Sequence, residues 1–430
     1  MATDFRSVRR LAGMLAARLP ELQIADVLDP RQERGKRWAL PSMLNAALLG
    51  IMSGRKSLRD IEQMTADLSP TSRRQLGIKK RIPDTSLRDV ICRMEMDSLR
   101  QCLHLMMASA WRRKAIEPMG LPFHMLVLDG KSTALPCWDD QYVQKVVHEE
   151  KHFAYGLMRT ITCALATAPG VPCLDALPIP AKTNEMGFFR DAVKAMLTTY
   201  GHWFKLISYD AGACGEENAR FVVHNDKHYL LRVNDERRHM MQLQQQLFAN
   251  KAVLASTEDV LAKKKNISVV RSLSLIEPLQ THDPDSVFCW THTKTWIKVN
   301  SKTIENGAIT HEEDRYYVSS MPINMLKPEQ WLLAVRLHWA VENNNHHTFD
   351  TAFKEDDFPM IKNNTKGALA LLMLRRIAYS LLTLFRSVTL RSETHRQMPW
   401  KDLLLWVYHL LILLNEEHIK DIRCRPTTFA

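Results

Sequence analysis

Three acidic residues, far apart in the chain, sit in settings that suit phosphoryl-transfer chemistry. "FHMLVLDG" (Phe123 to Gly130) is a continuous apolar run closed by Asp129 and a glycine, and "WFKLISYDAGACG" is a second run closed by Asp210 and a small residue, Ala211. Such runs read as buried strands. If the two strands are neighbours in one sheet, both carboxylates emerge at the same kind of strand edge, where α/β sheets build their sites. The third acid, Glu342, lies in "LHWAVENNNHHTFDTAFKEDD", Leu337 to Asp357. At helical spacing His338, Glu342, Asn345 or His346, and Phe349 share one face, while Trp339, Val341 and Phe353 can turn to the core. No lysine or arginine occurs between Leu337 and Phe353, so this stripe differs from a solvated face of mixed charge pairs.

Two aspartates and a glutamate are hard oxygen ligands that suit Mg²⁺ or Mn²⁺. Two such ions roughly 4 Å apart activate an attacking oxygen and stabilise a leaving one in an in-line displacement. Three crowded carboxylates repel one another, so the site is expected to need metal for order. Taken singly, an aspartate at a strand end is more often a helix cap or turn former, and a glutamate on a helix more often a surface group. A zinc site is not indicated: the HExxH arrangement is absent, His346 and His347 are adjacent and cannot share a face, and the eight cysteines form no CxxC pair.

The elements that must position these acids follow from pattern. The chain has 430 residues, 46% of them hydrophobic, enough for two or three domains with real cores. Its net charge of +11 favours a polyanionic partner, nucleic acid above all. Residues 1–118 hold 22 Lys/Arg against 13 Asp/Glu and so carry most of the excess. They read as an all-helical, basic, DNA-binding module. "SLRDIEQMTADL" opens on a capping box of Ser57 and Asp60. "TSLRDVICRMEMDSLRQCLHLMMASAWRRKAI" reads as one long helix, with Ser86 and Asp89 as a second box. The short helices around the basic loop form either a helix-turn-helix or a plain bundle. Arg73, Arg74, Lys79, Lys80 and Arg81 are the expected DNA-backbone patch.

Strand and helix alternate over residues 119–235, as in an α/β core. Residues 236–320 are β-branched and aromatic with period-two alternation and a hairpin signal at Asn306-Gly307, a β-rich insertion. Helix returns over 321–390, with the glutamate helix read as one piece from Lys327, and a helical tail fills 391–430. "LLLWVYHLLILL" is too short to span a bilayer and reads as a buried core helix. The N-terminus lacks a secretory signal, so reduced thiols and a cytoplasmic location are expected, with no membrane partner.

Four stretches resemble the DDE transposases of bacterial insertion sequences, in particular the ISAs-type branch. They are "LVLDGK", "IPAKTNEMGFFRDAV", "LISYDAGACGEENARFVVHNDKHYLLRVNDE" and "RLHWAVENNNHHTFDTAFKEDD". "LPSMLNAALLGIMSGRKSLRDIEQ" and "IPDTSLRDVI" are similar to that branch's associated helical domain, and the resemblance covers roughly residues 38–385.

The resemblance implies an RNase H-like core, a mixed sheet flanked by helices, interrupted by the β-rich insertion and preceded by the helical domain. It carries over Asp129, Asp210 and Glu342 as the metal-binding catalytic triad, with two Mg²⁺ or Mn²⁺ ions. The implied reaction is hydrolytic cleavage at transposon ends followed by strand transfer into target DNA, by a homodimer on paired ends in the bacterial cytoplasm, associated with the nucleoid. Val335, His338 and Phe349 stand where related transposases often carry tyrosine, arginine and lysine, and Arg336 is assigned the arginine's phosphate contact. Lys131, Asn184 and Glu185 are further expected DNA contacts, the latter two alternatively supports of the triad. His338 and His346 either orient a phosphate or the Glu342 carboxylate, or pack in the core. Asp350 and Asp356 are expected to pair with Arg375 or Arg376. Two other functions fit the same residues: a captured DNA-binding regulator that keeps the fold, and an RNase H-like nuclease without strand transfer.

Overall fold

The computed structural model describes residues 5–33, 36–139, 141–148, 153–209, 211–233, 238–264, 266–278, 292–390 and 392–418. The first part is helical: α1 (Phe5–Arg18), α2 (Leu40–Met52), α3 (Leu58–Asp67), α4 (Pro70–Leu76), α5 (Asp84–Arg93) and α6 (Met96–Arg112). The capping box of α3 forms: the Ser57 hydroxyl accepts from the Asp60 amide at 3.1 Å, and the Asp60 carboxylate from the Ser57 amide at 3.0 Å. The expected single long helix is instead two. Met94 and Glu95 take extended ψ values of 136° and 129° and separate α5 from α6. The second box does not form, because Pro83, with its preset φ, starts α5 at Asp84, ahead of Ser86.

A sheet then begins with β1 (His124–Leu135), β2 (Val143–His148), β3 (Phe153–Leu165) and β4 (Cys173–Pro178). It continues through α7 (Glu185–Tyr200), β5 (Phe204–Tyr209), α8 (Glu216–His224) and β6 (His228–Val233). Next come α9 (Arg238–Asn250) and β7 (Ala255–Lys264), β8 (Ile267–Ile276), β9 (Thr295–Glu305) and β10 (Ala308–Ser319). The chain closes with α10 (Pro328–Leu337), α11 (His347–Thr351), α12 (Thr365–Leu384), α13 (Glu393–Arg396) and α14 (Trp400–Leu413).

The strands run β2-β3-β1-β5-β6-β10-β9-β8-β7, with β4 also paired to β3. β1, β5 and β6 are parallel, and β3 and β10 flank them antiparallel. The β-rich segment is therefore no separate layer: β10 hydrogen-bonds β6, and the four strands prolong the core sheet. Asn306 and Gly307, at φ 52° and 83°, turn β9 into β10 with the left-handed pair that a tight hairpin requires.

Side-chain alternation sorts β1 cleanly. Leu126 and Leu128 join the core on one face, with Phe189 of α7, Tyr209 and α12; Met125 and Val127 join the other, with Trp331, Val335 and Val341. Asp129 continues the second series. α12 is long and apolar enough to cross a membrane, yet 94% of its apolar window is buried inside the protein. It packs on α2, α5 and α6 and on β4, joining the helical part to the sheet. α14 packs on α1 and α2, and Glu416 beyond it bonds Arg74 and Thr71, so the tail docks on the N-terminal helices.

His124 opens β1 at 3% exposure, its Nδ1 2.9 Å from the Thr167 hydroxyl. Burial pushes its pKa down to about 4. The imidazole therefore stays neutral in the fold while the unfolded chain protonates near pH 6.5. Stability is intact above that pH and is lost as pH falls from about 6.5 to about 4, by about 3 kcal/mol in total. His124→Leu is expected to flatten urea-midpoint stability across that window; an unchanged slope would assign the acid sensitivity elsewhere.

Candidate active site

Asp129 lies where β1 passes from buried to half-exposed. The parallel register sets Val127 beside Ser208, so β5, which ends at Tyr209, finishes at the height of Asp129. Asp210 follows Tyr209 in the sequence and lies outside the described residues. On the other side Asp129 pairs with Thr162 of β3. Both neighbours are bound from the glutamate segment. His346 places Nδ1 3.3 Å from Asp129 Oδ2 and Nε2 3.0 Å from Thr162 Oγ1. One imidazole thus stands between the carboxylate and the Thr162 hydroxyl, and the Asp129 side chain remains 30% exposed.

The glutamate segment is not one regular helix. α10 ends at Leu337, and residues Val341–His346 form a π-helical turn before α11. The wider turn shifts every later side chain around the axis. The single polar stripe expected at α-helical spacing is therefore divided. Glu342, Asn343 and Asn344 are exposed, whereas His338, Asn345, His346 and Phe349 are buried. Asn345 donates to the Val171 carbonyl at 3.1 Å. Glu342 stands about one π turn before His346, on the segment that reaches Asp129.

Glu342 also borders a cavity of about 570 Å³ between this segment and β8–β10, with Arg271, Arg315, Arg336 and Trp339. Trp339, expected in the core, lines it half-buried, with the guanidiniums of Arg232 and Arg315 each 5.3 Å from its ring. Arg336 reaches Asp259 of β7 at 2.7 Å, and Arg315 chelates Glu313. Arg271 and Arg315 escaped the sequence reading because strands distant in the chain from Glu342 contribute them; only the cationic and aromatic content of "VVRS" and "DRYY" pointed that way.

The remaining expected contacts divide sharply. Lys131 is turned inward, 7% exposed in its side chain, and bonds Asp350 at 2.6 Å and Asp356 at 3.1 Å. Burial alone would lower its pKa, but the Asp350 hydrogen bond and the Glu355 and Asp356 charges outweigh it and hold the pKa raised. Asp350 and Asp356 thus pair with Lys131 and not with Arg375 or Arg376. Arg376 instead forms a fully buried ion pair with Glu355, and Arg375 bonds the Phe358 carbonyl. His338 is a packed histidine. Ser208 Oγ gives its one proton to the Leu230 carbonyl at 2.6 Å and so accepts from His338 Nδ1 at 2.7 Å. Asn184 caps α7, its side-chain oxygen accepting from the Gly187 amide at 2.9 Å.

Glu185, the first residue of α7, turns its carboxylate onto Gly130. Arg73 is used in bonding the Ala66 and Leu68 carbonyls, and Arg81 pairs with Glu62. Arg74 is exposed beside Glu416, while Lys79 and Lys80 stand out on the loop between α4 and α5.

Among the described residues no three His, Cys, Asp or Glu side chains gather into a metal cluster, and the second acid of the expected set is not among them. The donor chemistry nevertheless fits a hard divalent cation: Asp129 and Glu342 are carboxylates, half-exposed and exposed. Glu185 lies over Gly130, on the face of β1 opposite to Asp129.

Comparison with known families gives two matches. Residues 132–381 match the family described as "Transposase DDE domain", and residues 22–107 the one described as "DDE_Tnp_1-associated". No curated protein matches the chain. Among solved structures it is similar to a piggyBac transposase synaptic complex with hairpin DNA, at TM-score 0.43 and 12% identity over 98% of this chain and 82% of that one.

Proposed function

The chain belongs to the DDE transposase family, whose members cleave DNA and transfer strands, and on that premise we propose that Asp129, Asp210 and Glu342 form its metal-binding triad. The observation that carries this is the His346 contact, which joins the glutamate segment to Asp129 in the middle of β1, a strand parallel to the one that leads into Asp210. Divalent Mg²⁺ or Mn²⁺, two ions per site, would be held by these carboxylates and would supply activation of the attacking oxygen and neutralisation of the leaving one. The protein's own part is orientation. His346, itself bonded to Thr162, stands against the Asp129 carboxylate, and the π turn sets Glu342 outward over the cavity. Water attacks the phosphorus at a transposon end and the 3′ oxygen leaves; that 3′ hydroxyl then attacks a target phosphodiester and displaces its 3′ oxygen.

Arg271, Arg315, Arg336 and Trp339, beside Glu342, suit phosphate contact and base stacking. Lys79 and Lys80 suit the DNA backbone at a distance. Each phosphate-neutralising side chain adds about −0.9 to the slope of log K against log salt on duplex DNA. Removal of both amines in Lys79→Ala/Lys80→Ala is expected to make that slope less negative by about 1.8, read by fluorescence anisotropy. An unchanged slope would take this loop out of the interface. Arg73→Ala, which removes a helix-end bond, is expected to lower stability instead.

The function is tested by incubating the protein with DNA carrying its element's ends, a target plasmid and Mg²⁺. Joined product is expected, from a homodimer on paired ends. Binding without cleavage would favour a captured regulator, and cleavage without joining a nuclease.

A further inference from the structure

We propose that Arg271 and Arg336 form one phosphate site of the DNA interface and that Asp259 competes with the phosphate for it; this rests on the reading of the cavity beside Glu342 as a DNA-binding surface. Asp259 thereby sets how tightly DNA is held, although it is itself an anion.

The floor of the cavity is one face of the sheet made by β7 to β10. Asp259 lies opposite Arg271, Arg271 opposite Ser301, and Ser301 opposite Glu313, so the four share that face. Arg315, two residues after Glu313, joins them by strand alternation. α10 packs across β7 and β8 and brings Arg336 to the same cavity. Three guanidiniums and two carboxylates thus meet over one row of the sheet.

The two carboxylates are engaged unequally. Glu313 holds Arg315 through both oxygens, at 2.9 and 2.8 Å. Asp259 gives Oδ2 to Arg336 at 2.7 Å. Its Oδ1 stands 3.9 Å from Arg271 Nη1, beyond hydrogen-bond range. Both atoms are buried, and neither has a hydrogen-bond partner among the described residues. A buried donor left unbonded is costly and suits an acceptor brought by a ligand. Burial and the Arg336 and Arg315 charges together outweigh Asp259 and lower the Arg271 pKa, so this guanidinium is short of negative charge.

A phosphodiester fits that shortage. It carries one negative charge, as Asp259 does, on two oxygens set wider apart on a tetrahedral centre, and guanidinium forks match it well. Arg336 is exposed and Asp259 half-buried, so the phosphate can reach the pair from solvent. An ion pair of this exposure is weak, and exchange of one anion for the other is feasible.

The test is fluorescence anisotropy of the full chain with a labelled duplex carrying the element's end, with strand cleavage and thermal unfolding measured on the same proteins. Asp259→Asn keeps the shape of the side chain and removes its charge; it is expected to tighten binding about fivefold. The slope of log K against log salt should also become more negative, because no freed carboxylate takes up a cation when phosphate binds. Asp314→Asn removes the same charge from the opposite face of β10 and is expected to leave affinity within about twofold. Arg271→Ala/Arg336→Ala is expected to weaken binding about tenfold or more, and Asp259→Asn added to it should gain little. Should that pair unfold, Arg336→Gln alone, at the exposed residue, supplies the same comparison. If Asp259→Asn leaves binding unchanged or weakens it, or if Asp314→Asn tightens it equally, Asp259 does not compete with phosphate and the proposal is wrong. If the arginine variants bind as the parent does while the parent cleaves DNA, the cavity lies outside the interface and the transposase reading stands. If the parent neither binds nor cleaves the duplex, that reading fails and the proposal with it.

Discussion

Asp129→Asn is expected to lower strand cleavage and joining by roughly three orders of magnitude, the several kcal/mol of transition-state stabilisation that metal-assisted catalysis supplies, while leaving DNA affinity within about twofold. The substitution keeps the size of the side chain and one oxygen, so the contact with His346 can persist through that oxygen. What it removes is the negative charge on a mid-strand acid of β1 that stays 30% exposed, with the His346 imidazole beside it. Lys79 and Lys80, the exposed amines, lie in the helical part of the chain, so binding and chemistry should separate. Gel shift and cleavage on the same labelled duplex measure both. Retention of full cleavage would remove Asp129 from the site, and loss of binding in step with cleavage would show that the substitution had damaged the fold.

The largest effect on stability is expected from Arg376→Met. Arg376 and Glu355 are 0% and 3% exposed in their side chains and bond each other, and the Arg376 guanidinium carbon lies 3.8 Å from the Phe349 ring centre. Burial alone would raise the Glu355 pKa, but Arg376 and Arg375 outweigh it and hold it lowered. Loss of Arg376 leaves a buried carboxylate with its main partner gone, which costs about 3–5 kcal/mol.

Glu355 bears on pH as well. Because its folded pKa is depressed, its contribution is complete above the ordinary carboxylate value of 4.5 and is lost as pH falls through the folded value. In Arg376→Met that late loss should disappear. The double variant Glu355→Leu/Arg376→Met should recover much of the single variant's deficit, since an apolar pair of similar volume often matches a buried ion pair. Chemical unfolding of the three proteins decides it; a single variant within 1 kcal/mol of the parent would show that the pair is not structural. The pair also reaches function, because Phe349 and Asp350 follow directly on the glutamate turn and Asp350 holds Lys131 of β1.

The outline of this molecule was legible because its signals are local. Apolar runs ending in Asp129 and before Asp210 announced central parallel strands, and Ser57 with Asp60 announced a helix start. Asn306-Gly307 announced a hairpin. What was not legible depends on geometry that residue type does not encode. A π turn differs from an α turn by one residue per loop of backbone, and "VENNNH" carries no signal for it. Yet that turn decides that Glu342 faces out while His346 turns in to Asp129.

Charge was misleading for a similar reason. Lys131 and Arg73 read as phosphate contacts by type, but a lysine flanked in space by Asp350 and Asp356, or an arginine folded back on the end of α3, is engaged within the protein. Those partners lie more than two hundred residues away in the first case, beyond the reach of any local pattern. The β-rich segment shows the same limit: its strands were visible one by one, but their continuation of the core sheet through β10 and β6 was not.

The measurement that tests the central claim most directly is the anomalous scattering of Mn²⁺ in crystals of the protein bound to DNA carrying its element's ends. The account predicts manganese beside Asp129 of β1 and the end of β5, coordinated by oxygens of Asp129, Asp210 and Glu342. Manganese bound elsewhere, with those three carboxylates held more than 10 Å apart in the DNA-bound state, would contradict it.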